Sequence, residues 1–116
     1  MVIDWEHHFT PKKYAEMVKG EERYTASQIK YARATADVQL KDMDVAGIDK
    51  MVLTGAARNM KECRIFNDEA AKWVKEHPDR FIGFAHVIPT CGDEALEELD
   101  RAIKDLGLKA ARSCPV

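Results

Sequence analysis

The succession of apolar and polar runs along this chain predicts an α/β fold built on parallel strands, and three observations carry that reading. Short apolar runs alternate with stretches of three- and four-residue apolar spacing, in the order strand, helix, strand, helix, strand, helix, strand. Two of the helical stretches end in the same signal, a glycine followed by an apolar residue, at Gly47-Ile48 and Gly107-Leu108. Each signal leads directly into the next strand-like run. Alternation of this kind implies crossovers of one hand, with helices covering a sheet. Two architectures satisfy it: an open doubly wound sheet, or part of a (β/α)8 barrel. A whole barrel needs roughly 250 residues, and this chain has 116.

Val2-Ile3-Asp4-Trp5 begins the first strand, which is broken by His7-His8 and Thr10-Pro11. Thr10 suits a helix cap and Pro11 the first helical position, for a helix through Tyr14, Met17 and Val18 that stops at Gly20. Residues 21–36 show no clear period and read as a long loop. Asp37 then caps a helix with Leu40 and Met43 facing inward, and Lys50 to Gly55 reads as a buried strand with a glycine turn. Asn59 with Glu62 has the spacing of a capping box. Cys63, Phe66, Ala70, Trp73 and Val74 follow at the spacing of one buried helix face, and His77-Pro78 ends that helix. Arg80 to Val87 is a second buried strand, stopped by Pro89. Asp93 opens a helix carrying Leu96, Leu99, Ile103 and Leu106, and Leu108 to Ala111 starts a further strand.

Composition excludes several classes. Hydrophobic residues make up 46% and charged residues 33%, ordinary values for a globular domain. A net charge of -2 without a basic run offers nucleic acid no electrostatic footprint. The longest apolar stretches are too short to cross a bilayer, and no signal-peptide pattern precedes the first strand. Cys63, Cys91 and Cys114 form no CxxC pair, which argues against a zinc finger or a disulfide framework and for a cytoplasmic location.

The sharpest local feature is Glu6-His7-His8 at the end of the first strand. Strict alternation places Glu6 and His8 on one side and His7 on the other. A carboxylate and an imidazole converging there suit Zn2+ or Mn2+, and sites of barrels and open sheets alike lie at that end. The alternative is that both are polar residues leaving a strand for solvent. Arg58 and Asn59 follow the second strand, where a barrel places substrate loops. Arg58 suits a carboxylate partner or plain solvation. His86, near the end of a strand, suits either a pocket wall or a satisfied structural position.

Ile3-Asp4-Trp5-Glu6-His7-His8-Phe9-Thr10-Pro11 resembles the start of the amidohydrolase-related family that includes aminocarboxymuconate-semialdehyde, resorcylate and dihydroxybenzoate decarboxylases. Leu40 to Asp49 is similar to that family's helix and stop before its second strand. Asn67 and His77-Pro78-Asp79-Arg80-Phe81-Ile82-Gly83 resemble its "N…P-x-R-F-x-G" segment, and Leu106-Gly107-Leu108-Lys109 its "LGFKG" entry to a strand. The resemblance covers nearly all of residues 1–116 in order, as a single N-terminal part. It implies a partial (β/α)8 TIM barrel, roughly the first three βα units plus the start of a fourth strand. It also implies a divalent metal on Glu6 and His8, with Zn2+ first and Mn2+ second. The substrate would be a small aromatic or unsaturated carboxylic acid, undergoing decarboxylation or hydrolysis. The family's further ligands, a histidine on the fifth strand and an aspartate on the eighth, have no counterpart in this sequence. Residues 110–116 also depart from the usual pattern, so the chain is expected to be inactive alone and to self-associate as a homo-oligomer. Two rivals remain: an inert barrel remnant, and a small flavodoxin-like binding module, which would want a phosphate-binding glycine loop where Glu6-His7-His8-Phe9 stands.

Overall fold

The computed structural model describes the backbone of residues 1–17 and 36–114, and their side chains except at positions 6–8, 12 and 15. Four strands, β1 (Ile3–His8), β2 (Lys50–Thr54), β3 (Phe81–Val87) and β4 (Ala110–Ser113), pair in parallel in the order β1-β2-β3-β4. Between them run α1 (Lys12–Met17), α2 (Ala36–Ala46), α3 (Met60–Glu76) and α4 (Asp93–Lys104), with a 3-10 turn at Pro89–Cys91. This is part of a (β/α)8 barrel: consecutive parallel neighbours, each reached through a helical crossover. Of the expected loop over residues 21–36, residues 21–35 lie outside the described residues, as does the helix end at Val18 to Gly20, while Ala36 is already helical.

The two glycine stops form as the sequence requires. Gly47 and Gly107 take left-handed φ values of 74° and 69°. Beyond them Ile48 donates to the Met43 carbonyl at 2.9 Å and Leu108 to the Ala102 carbonyl at 3.1 Å, so the last helical carbonyls are satisfied as the chain turns into a strand. Arg80 secures the lower end of the sheet. Its Nε donates to the Asp49 carbonyl at 2.9 Å and its Nη2 pairs with Asp44 at 2.8 Å.

The core lies on one face of the sheet, between Met51, Leu53, Phe81 and Ala85 and the inner sides of the helices. Cys63, Phe66, Ala70 and Trp73 of α3 are buried and Val74 partly so, as their spacing predicts. Gly55 is there because a Cβ would overlap Cε1 and Cδ1 of Phe66. That ring cannot retreat, since Phe9, Tyr14 and His86 stand around it with centroids 5.0–5.6 Å away. On the opposite face Trp5 of β1 and Phe84 of β3 meet edge to face at 6.4 Å across β2, and Trp5 remains 68% exposed.

Three expectations need correction. Asp37 does not cap α2; it lies inside the helix, in its first turn. β4 spans Ala110–Ser113, two residues later than expected. On α4 the buried residues are Ala95, Glu98 and Ala102, while Leu96 and Ile103 are 66% and 41% exposed. The small alanines let α4 lie close to its neighbours, which turns the larger side chains outward.

Glu98 belongs to a buried polar network. Past Gly83 the β2–β3 ladder has ended, and the N–H and C=O of His86 point to the vacated side. Asn67 of α3 takes them up, accepting from the His86 N–H at 2.6 Å and donating to its carbonyl at 3.0 Å. The same amide nitrogen donates to Glu98 Oε1 at 3.0 Å, and Glu98 is held from behind by Arg101 at 2.7 and 2.9 Å. Burial pushes the Glu98 carboxyl up, but hydrogen bonds from Arg101 and Asn67 and the nearby positive charges outweigh it and hold it below the usual carboxylate range.

This packing sets three expected outcomes. Gly55→Ala should lower stability by about 1–3 kcal/mol, the usual cost of overpacking a core, read as a drop in the urea midpoint. Asn67→Ala should lower it by about 2–4 kcal/mol, because it strands both backbone groups of His86 and removes one of the two donors to Glu98 Oε1. The Glu98 contribution carries a pH signature. Its folded pKa is depressed, so the stabilisation is full above the unfolded value of about 4.3 and fades as pH falls through the lower folded value. The stability gap between the wild type and Glu98→Gln should be flat near neutrality and narrow in acid.

Candidate metal and substrate site

The site residues singled out above fall at one end of the sheet. β1 ends at His8, β2 at Thr54 and β3 at Val87, and the loops leaving these ends carry Arg58, Asn59 and Cys91. In a barrel this C-terminal end is where loops from successive strands meet.

Glu6 and His8 occupy the last turn of the β1 ladder. His8 is level with Thr54, and the following N–H of Phe9 donates to the Thr54 carbonyl at 2.9 Å. Asp4 pairs with Met51 but His7 pairs with Leu53, so three steps along β1 match two along β2. The register therefore shifts inside the step that carries Glu6. Irregularities of this kind are frequent near functional ends of strands. As a donor set, one carboxylate and one imidazole fit a divalent cation of intermediate hardness. Among the described residues no group of three or more His, Cys, Asp or Glu side chains could hold a metal.

Arg58 is oriented by its neighbour four residues on. Its Nη2 lies 2.6 Å and its Nε 2.9 Å from Glu62 Oε1, and its backbone N–H donates to Oε2 at 2.7 Å. Glu62 is buried, whereas the Arg58 side chain is 43% exposed. Burying one partner fixes the direction of the other, so the guanidinium leans from the loop at a set angle. Asn59 is the N-cap of α3, its side chain accepting from the Glu62 N–H at 2.9 Å. The expected capping box is thus only half formed, because the Glu62 carboxylate goes to Arg58 rather than back to the Asn59 N–H. The amide oxygen of Asn59 is committed to this cap.

His86 is fully buried. Its Nδ1 lies 3.1 Å from Asn67 Oδ1, an oxygen that already accepts from the His86 backbone. An acceptor at that position is met by a proton on Nδ1. The structure brings Arg58 and Asn59 to the mouth of the sheet and sets His86 beneath it. Sequence reasoning missed Glu62 as an orienting carboxylate and Glu98 as a buried one. The i,i+4 pairing of Arg58 with Glu62 was the available signal.

No helix among the described residues is long and apolar enough to cross a membrane. The family profile described as amidohydrolase matches residues 3–115. A gamma-resorcylate decarboxylase from Rhizobium sp. (strain MTP-10005) is 35% identical over 85 residues, 65% of this chain and 26% of that protein. Thus the match spans about a quarter of the length of that relative. A crystal structure of 2,6-dihydroxybenzoate decarboxylase complexed with 2,6-dihydroxybenzoate is 28% identical, with a TM-score of 0.73 over 95% of this chain and 38% of that one. A dihydroxybenzoic acid decarboxylase from Polaromonas sp. JS666, with bound manganese and the inhibitor 2-nitroresorcinol, is 26% identical, with a TM-score of 0.72 over 95% of this chain and 37% of that one. The profile match over nearly every residue, the parallel strand order and the Glu-x-His end of β1 lead to one conclusion: this chain belongs to the amidohydrolase family.

Proposed function

We propose that residues 1–116 form the N-terminal part of a metal-dependent decarboxylase acting on a small aromatic carboxylic acid. Glu6 and His8 supply two of its metal ligands in this reading. The observation that carries it is the Glu-x-His pair at the C-terminal end of β1, in a chain similar to resorcylate and dihydroxybenzoate decarboxylases. Decarboxylation is favoured over hydrolysis because these relatives are decarboxylases. The manganese of the Polaromonas enzyme favours Mn2+ over the zinc expected first. Three free cysteines suit a reducing compartment, and a cytoplasmic location belongs to the same proposal.

The bound cation would supply charge for holding and polarising an oxygen of the acid. Glu6 offers it an anionic oxygen and His8 a neutral imidazole nitrogen. Arg58, held at a set angle by Glu62, faces the incoming carboxylate with a charge-assisted donor. Asn59 acts through the helix, by fixing the first turn of α3 from which Glu62 reaches Arg58. His86 supports the wall of the site from below. A proton must replace the departing carbon dioxide on the ring, and that donor is assigned to strands beyond this sequence.

Self-association is a second element of the proposal. It is motivated by Trp5, Leu96 and Ile103, exposed on the sheet face and on α4.

Three outcomes are expected. Titration with Mn2+ or Zn2+ should give weak binding, since catalytic sites usually need three protein ligands, and Glu6→Ala or His8→Ala should abolish it. Tight binding that survives both substitutions would sink the assignment. Metal-loaded protein should release no carbon dioxide from a panel of hydroxybenzoates, because each missing general acid or base costs about 100- to 10,000-fold in rate. Turnover lost in Glu6→Ala would instead mean that a second copy completes the site. Light scattering should report a dimer or larger species that Trp5→Asp shifts toward monomer; a cooperative monomer would end the self-association proposal.

A further inference from the structure

Each half of β3 is paired to a different neighbour. Its lower residues, Phe81 to Gly83, stand opposite Met51 to Leu53 of β2. Its upper residues, Phe84 to Val87, stand opposite Ala110 to Ser113 of β4. The two ladders meet end to end at Gly83, whose carbonyl accepts from the Lys109 N–H at 3.0 Å where the second one starts. Where ladders overlap, a middle strand is held from both sides at every level. Here each half of β3 is held by one strand only.

The upper half of β3, with α4 and β4, is fastened to the rest by few apolar groups. α4 buries Ala95, Glu98 and Ala102 and turns Leu96 and Ile103 outward, so it takes little apolar area out of water. Its ion pairs to α3, Arg64 with Glu94 at 2.5 Å and Asp68 with Arg101 at 2.8 Å, join partly exposed side chains and stabilise little. Phe84 meets Trp5 edge to face, and Trp5 stands mostly in solvent. The deeper ties are three. Leu108 is buried and lies against Gly83, where a Cβ would not fit. The ring of His86 packs on Phe66 with centroids 5.3 Å apart. Asn67 bonds both the His86 backbone and Glu98 of α4.

We propose that the upper half of β3, α4 and β4 unfold and refold as one unit while the rest of the fold stands, with Gly83–Phe84 as the boundary and the Asn67 amide as the latch. Supersecondary units with few buried apolar contacts open first in native proteins, and this unit meets that condition. The 3-10 turn after β3 belongs to it, so each opening removes one wall of the mouth, while the end of β1, Arg58 and Asn59 keep their places. The boundary and the latch do not depend on the decarboxylase reading, so their test stands apart from the metal titration.

The experiment is native-state hydrogen exchange of the whole chain, followed by NMR in stepped urea below the unfolding transition. The Lys109 and Cys114 amides, which donate to Gly83 and Val87, report on the unit. The Phe9 and Met51 amides, which donate to Thr54 and Arg80, report on the rest. In the wild type Lys109 and Cys114 should share one opening, easier and with a shallower urea slope than the opening shared by Phe9 and Met51. Arg80→Ala removes the clamp on Asp49 and Asp44, which lies outside the unit. It should speed exchange at Phe9 and Met51 and leave Lys109 and Cys114 unchanged. Asn67→Ala should speed both pairs by about 30- to 1,000-fold, since the latch is lost in either opening. Should that variant fail to fold, the wild type and Arg80→Ala decide. One opening common to all four amides, or an Arg80→Ala effect equal on both pairs, would overturn the proposal. So would an Asn67→Ala protein in which Lys109 and Cys114 exchange as slowly as before.

Discussion

The N–H and C=O of His86 face a gap where β2 has already turned away, and much of the upper half of the structure is arranged around closing it. A side-chain amide can replace a neighbouring strand because it carries a donor and an acceptor side by side. Asn67 does so with bonds of 2.6 and 3.0 Å to one residue. Its second amide hydrogen then needs an acceptor in a dry interior, and Glu98 provides one. A buried carboxylate in turn needs positive charge, which Arg101 brings from the next turn of α4 and Arg64 from α3 at 3.8 Å. Each step is forced by the cost of leaving the previous group unpaired. The chain of obligations fixes the positions of α3 and α4 against the end of β3.

Beside this polar seam the apolar packing is mostly aromatic. Phe66 is surrounded by Phe9, Tyr14 and His86, so α3, the residues after β1 and the end of β3 share one ring. The turn after β2 passes so close to that ring that only glycine fits at position 55. The mouth of the sheet is thus built on a rigid floor, and the side chains that rise from it, Arg58 above all, inherit their direction from that floor.

Much of this was legible before any coordinates. Strand and helix order, the glycine stops, and the inward face of α3 all follow from local periodicity, which is a property of neighbouring residues. The inward face of α4 was misread because Leu96 and Ile103 look like core residues, while Ala95, Glu98 and Ala102 do not. What decides the matter is a closely approaching neighbour and an asparagine thirty-one positions away from Glu98, and neither is visible locally. The candidate site shows the same division. Its place at the end of β1 could be read from Glu6-His7-His8, but the register shift between Asp4 and His7 depends on pairing with β2.

The glycines of this chain answer to two unrelated demands, and natural variation should treat them differently. Around Gly47 and Gly107 there is open space where a Cβ would stand, so what keeps other residues out is the left-handed backbone alone. Asparagine tolerates that conformation at small cost, and relatives drifting at these two joints should accept it freely. Gly55 has an ordinary backbone and no room. No change of side-chain chemistry at that position is neutral unless the aromatic ring opposite shrinks with it. Drift there should come only as a paired exchange with position 66, and that coupling would be readable in sequences alone.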